Sequence, residues 1–136
     1  MSFYISPTAK VSSNAMVGDH AYVYGIAMIS DYAVVRGIAQ VFGHAKVYGH
    51  AQVFGHAWVH DNAQVYGKAK VFGDALIYGN AKVFDNAMIS GNALIYGNAR
   101  VFDNAMISGN AAVIDISILE GDVTISSGRV SNVHWW

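Results

Sequence analysis

Cysteine is absent from the 136 residues, which excludes disulfides, Cys-based zinc sites and thiol nucleophiles. Charge is scarce as well: 8 Lys and Arg against 9 Asp and Glu leave a formal net charge of -1, with no global pull toward nucleic acid or an anionic membrane. A charged partner would have to be met by a local patch. No uninterrupted apolar stretch approaches the ~18 residues of a membrane helix, because Gly, Asp, Asn or His recurs every few positions. The start, MSFYISPTAKV, lacks the basic residues and apolar run of about 7–15 residues that mark a secretory signal, so the expectation is a cytoplasmic chain with no membrane partner. Threonine occurs only at Thr8 and Thr124, too few for the threonine ladders of an ice-binding wall.

What is present is a repeat. Every sixth residue from Ala9 to Ala111 is alanine, and every sixth residue from Ile5 to Ile125 is Val, Ile or Leu. In register the unit is Ala-x-[Val/Ile]-[Tyr/Phe/Ser]-[Gly/Asp]-[Asn/His], as in Ala81-Lys82-Val83-Phe84-Asp85-Asn86. Ala and Val stand two apart, so on an extended strand both point to one side and the residues between and after them point to the other. The Gly/Asp and Asn/His pair that follows is turn chemistry, with Gly and Asn expected to take the left-handed conformation of a corner. Helix competes poorly, since this spacing forms no helical stripe. Antiparallel hairpins would need longer strands than three or four residues. Parallel coiling remains.

The pairs Val41/Ala45, Val47/Ala51 and Val53/Ala57, aliphatic at one position and small four later, make the chain resemble the left-handed β-helix of the hexapeptide-repeat proteins. The resemblance covers roughly residues 5–126 and implies an all-β, left-handed triangular solenoid of about seven 18-residue coils. Right-handed β-helices of the bactofilin type are the structural rival. The chain reads as a single domain over 1–136, with the β-helix in 1–126 and a C-terminal cap or oligomer contact in 127–136, where Trp135 and Trp136 either plug the last coil or join another chain. With three walls converging on one axis, Val53→Asp should be severe and Ala57→Leu should overpack the interior.

Positions 18 apart then form columns, and the outward residues fall on three walls. Wall one carries Tyr4, Tyr22, Gln40, Trp58, Leu76, Leu94 and Ala112 beside Ser6, Tyr24, Phe42, His60, Tyr78, Tyr96 and Ile114, with no Asp, Glu, Lys or Arg among them. So apolar a wall marks an interface, unless the aromatics serve only as a ladder that stabilises the sheet. Wall two sets Lys46, Lys82 and Arg100 beside Tyr48, Tyr66, Phe84 and Phe102, a basic patch that either binds single-stranded nucleic acid or simply solubilises the face. Wall three carries no clear signal. The corner asparagines, Asn62/Asn80/Asn98, Asn86/Asn104 and Asn92/Asn110, are expected as turn formers whose stacked amides bond between coils.

Chemistry is harder to find. His44, His50 and His56 fall on three different corners, roughly 15–20 Å apart, too far to share a zinc ion. Hexapeptide-repeat acyltransferases, which the fold resembles, depend on an inserted loop, a catalytic histidine facing a neighbouring subunit and often a C-terminal helix, and none is visible here. No constellation matches that of the γ-class carbonic anhydrases either. No catalytic residue, metal or cofactor is therefore expected. The leading expectation is a non-enzymatic module that uses Tyr22, Tyr24, Phe42, Trp58, His60, Leu76, Tyr78, Leu94 and Tyr96, with Trp135 and Trp136, to form a homodimer or homotrimer or to dock another protein. The near-perfect repeats resemble short solenoids carried by phages and other mobile elements, which implies inhibition of a partner as one specific form. An acyltransferase-like enzyme with an intersubunit site near His56 or His60 and a nucleic-acid binder through wall two are the alternatives.

Overall fold

The computed structural model describes residues 2–135 and contains, among them, 23 short strands and no helix. Every strand is two residues long except Ala112–Ile114 and Arg129–Ser131, which have three. They assemble into three parallel sheets of 8, 8 and 7 strands, in which each strand pairs with the one three further along the chain. Wall one begins at Tyr4–Ile5, wall two at Lys10–Val11 and wall three at Met16–Val17. Gln40 pairs with Trp58 and Trp58 with Leu76, so the coil is 18 residues long, as the resemblance implies. The result is a three-sided parallel β-solenoid of seven coils. Among the described residues no helix is long and apolar enough to cross a membrane.

Two-residue strands hold because almost every backbone group finds a partner one coil away. In the hexad around Trp58, the N–H groups of Trp58, His60 and Asn62 donate to the carbonyls of Ala75, Ile77 and Gly79 at 3.0, 3.0 and 2.8 Å. The Ala63 N–H closes the corner on the His60 carbonyl at 3.2 Å. Inside, the alanine and aliphatic columns are wholly buried from Ala21 to Val113. Each layer holds three methyls and three branched side chains around one axis.

The corners turn on the fifth residue of the hexad, and here the asparagine expectation is corrected. Gly or Asp occupies the left-handed region in the hexads, with Asp19, Asp31, Asp61, Asp85, Asp103 and Asp115 at φ between 53° and 60°, and Asn132 does so in the tail at 56°. The asparagines at 62, 80, 86, 92, 98, 104 and 110 follow that residue and are not among those with positive φ. Among the described residues a single amide contact, Asn92 Nδ2 to Asn110 Oδ1 at 3.4 Å, stands where a ladder was expected. The reason lies in the next coil. At Gly37, φ +69°, a Cβ would meet the Gly55 backbone N at 2.9 Å, so neighbouring corners leave no room for one in this geometry. Asp fits at a slightly smaller φ and turns the approach into a bond: Asp61 Oδ2 accepts from the Gly79 N–H at 3.2 Å, and Asp19, Asp31 and Asp103 do the same for Gly37, Gly49 and Gly121.

The ends differ from the middle. Ile5, Val11 and Val17 of the first coil are only partly covered, and the Ser6 and Thr8 hydroxyls donate to the Gly25 carbonyl in that layer. At the other end the register shortens. Ala112 pairs with Arg129 and Ile118 with His134, so two successive corners each lose one residue and the coil tapers. The tail over 127–136 thus adds a strand to wall one and another to wall two. Val130 enters the buried column, and Trp135, 44% exposed, sits in register with Leu119 at the end of another. Trp136 lies outside the described residues. Ile114, expected on the open surface of wall one, is 1% exposed; it ends a three-residue strand and pairs with Ser131 of the shortened last coil.

Candidate functional site

The fourth residue of each hexad points outward at the same height as its neighbour one coil away, so rings placed there must stack. On wall one Tyr24, Phe42, His60, Tyr78 and Tyr96 form one continuous pile, with centroids 4.7–5.0 Å apart and planes within 8°. Wall two repeats the device with Tyr48, Tyr66, Phe84 and Phe102 at 4.6–4.8 Å. Wall three has a shorter version, Arg36 over Phe54 at 4.4 Å and Phe54 on Phe72 at 4.9 Å. Rings inside these piles have both faces covered and present only edges. Burial raises the phenols of Tyr24, Tyr48, Tyr66 and Tyr78 above their usual range, keeping them as neutral donors. Tyr24 and Tyr48 donate to Gln40 Oε1 and Gln64 Oε1, each at 3.1 Å.

His60 is part of its pile rather than a free base. Its ring lies between Phe42 and Tyr78, and Nδ1–H donates to Asp61 Oδ1 at 3.1 Å. That bond holds the Asp61 carboxyl below its ordinary range; partial burial opposes the shift and the Gly79 N–H adds to it. On wall two, Lys46, Gln64, Lys82 and Arg100 stand in one column beside the pile. Covered ring faces leave that wall little to stack a base on. Among the described residues no group of three or more His, Asp or Glu side chains could hold a metal ion.

Trp58 departs from this pattern. It occupies the second position of its hexad, and its ring stands at 75° to Phe42, the nearest ring of the pile. It is 40% exposed, and no parallel ring is stacked on it among the described residues. A groove of about 340 Å³ opens toward the N-terminal side, lined by His20, Tyr22, Ile38, Gln40, His56 and Trp58. A second, of about 330 Å³, lies between His56, Trp58, Asp74 and Leu76. The indole therefore stands as a ridge between two hollows in the middle of wall one. Tyr22 is 46% exposed at the far side of the first hollow, whereas Leu76 and Leu94 are half-buried.

Sequence reasoning placed Gln40 on wall one and named His56 only for a zinc site and the enzymatic alternative; neither of them, nor His20 or Ile38, was among the expected contact residues. The signal was available, since the sixth residue of one hexad and the second of the next are two apart and share the edge of a wall. Another hollow, about 520 Å³, lies at the corner between walls two and three and is lined by turn backbone with Asp85, Asp103 and Asp122. Asp103 is already committed to the Gly121 N–H at 3.1 Å, and no aromatic or aliphatic side chain lines this hollow.

Coils, columns and ladders together define a β-solenoid repeat protein. The family described as the YdcK beta solenoid repeat matches residues 93–109, about one coil of the seven. No curated protein and no solved structure matches the chain.

Proposed function

We propose that the chain is a non-enzymatic binding and assembly module that works through wall one, either joining copies of itself or docking another protein. The observation that carries this reading is the placement of Trp58, an indole with an uncovered face between two hollows in the middle of wall one, where the outward columns around it carry no charged residue. Tryptophan in a pocketed, central position is the commonest kind of interface anchor. Inhibition of a partner protein is one form such docking would take. The ladder rings support the wall, while Tyr22, Trp58 and the leucines beside them would meet the partner.

The test is a double substitution, Tyr22→Lys with Trp58→Lys, at two exposed positions outside the buried columns. The fold, followed by circular dichroism, should survive. Loss of oligomer in light scattering, or loss of a protein partner in affinity capture, is the expected result. If both readouts match the wild type, wall one is not the working surface.

A further inference from the structure

Resting on that reading, we infer that the partner of wall one is a second copy of this chain, packed antiparallel about a two-fold axis that runs along the strand direction between the levels of Gln40 and Trp58. The argument begins with side-chain size along one column. In coil order it runs Tyr4, Tyr22, Gln40, Trp58, Leu76, Leu94, with each neighbour in direct register. Between the rings of Tyr22 and Trp58, two coils or ~9.6 Å apart, the shorter Gln40 leaves a notch. The Tyr24 hydroxyl holds the Gln40 carbonyl oxygen at 3.1 Å, which fixes the floor of that notch. Trp58 is the ridge that such a notch receives.

A two-fold axis along the strands preserves position within the hexad and inverts the order of coils. Set between Gln40 and Trp58, it places each Trp58 over the partner copy's notch. The same operation sets Tyr22 opposite Leu76 and Tyr4 opposite Leu94, large against smaller over coils one to six, while Ala112 and Arg129 of the last two strands overhang. At the edge of the wall it brings His20 opposite Asp74, twice, and Ile38 opposite His56. No pair of like charges is created. An axis along the solenoid instead sets Trp58 against the ladder ring at 60 and gives the notch no occupant.

Coils one to six of the two copies face each other, and six strands at ~4.8 Å, about five residues wide at ~3.3 Å, give roughly 480 Å² in projection and more as accessible surface, the size of a small, reversible interface. Over coils one to six the outward columns of the wall carry no charged residue, and the edge carboxylate Asp74 meets His20 of the other copy, so a copy of itself brings that carboxylate a partner. Isologous contact also closes at two copies, so the arrangement does not propagate into a fibre.

The absence of cysteine makes the geometry directly measurable. Tyr22→Cys and Leu76→Cys are made separately, and each is treated with a bis-maleimide spanning about 10 Å, the separation of sheets packed face to face. Neither variant alone should cross-link, because like positions lie three coils or ~14 Å apart along the axis; an equimolar mixture should give a covalent dimer. Unmodified protein should weigh twice 14.6 kDa in sedimentation equilibrium, and Trp58→Lys should raise the dissociation constant about 30-fold or more. Cross-linking of Tyr22→Cys by itself overturns the antiparallel arrangement. A monomer that captures another protein through Tyr22 and Trp58 overturns the second copy as partner and leaves the interaction reading standing. A monomer indifferent to both substitutions overturns the two together.

Discussion

Walls one and two are built on the same device and differ in one column. Each carries a pile of parallel rings at the coil spacing, and each has a tyrosine that donates to a glutamine of the next coil. Beside the pile, however, wall one sets Tyr22, Trp58, Leu76 and Leu94, whereas wall two sets Lys46, Lys82 and Arg100. The shared part belongs to the fold, since a ring with both faces covered has little left for a partner. The proposed function rests on the part that differs. Aromatic content alone therefore misleads: the ladder and the anchor are both aromatic, and only ring orientation separates them.

The interior should not distinguish the walls at all. Val59→Asp on wall one and Val65→Asp on wall two each bury a carboxylate in a fully enclosed column, and both proteins should fail to fold cooperatively, as followed by far-ultraviolet circular dichroism. A folded Val65→Asp beside an unfolded Val59→Asp would break the equivalence at its root.

The ladders should rank next and again alike. Tyr78→Ala and Tyr66→Ala each remove a ring stacked on both faces, and each should cost about 2 kcal/mol in urea unfolding. A much larger loss for Tyr78 would mean that wall one is stabilised in a way wall two is not. The flanking columns should then separate the walls. Neutralising Lys46, Lys82 and Arg100 together should change stability by no more than about 0.5 kcal/mol and leave assembly untouched. Salt-sensitive binding of single-stranded nucleic acid, lost in that triple variant, would move function to wall two.

The coil, its columns and the buried alanines were legible because a period of six places identical residues in identical surroundings. Once the resemblance supplies three hexads per coil, columns are read by counting, so Trp58 and Tyr22 could be assigned to one wall and Lys82 to another before any geometry was known. Orientation within a column could not be read that way. Trp58 and Phe42 are both aromatic and both outward, yet one stands at 75° to the other because it occupies a different place in the hexad. The left-handed residue of the corner was also misassigned, for Asn and Asp share a preference for that conformation and only the approach of the next coil selects between positions. Ile114 and the tail escaped for a third reason. A five-residue step is invisible to a search for sixes, and Val130 and Trp135 re-enter the columns only once two corners have each lost a residue.

The smallest effect that still separates the two walls is a matter of acid. Only wall one has a histidine in its ladder, and the His60 Nδ1–H bond is the main reason the Asp61 carboxyl sits below its ordinary range. A carboxyl whose folded value is lowered stabilises the fold fully above its unfolded value and loses that contribution as pH falls toward the folded one. Stability contributed here should thus be present above about pH 4 and fade below it. His60→Phe keeps a ring between Phe42 and Tyr78 and removes the donor, so it should flatten this acid loss while leaving neutral stability close to that of the wild type. Because Asp61 is largely exposed, solvent screening limits the difference to a few tenths of a kcal/mol, on the order expected of a surface pair. Urea midpoints at pH 6 and pH 3 for the two proteins measure it; if His60→Phe loses as much stability as the wild type between those points, the bond to Asp61 is not what sets wall one apart in acid.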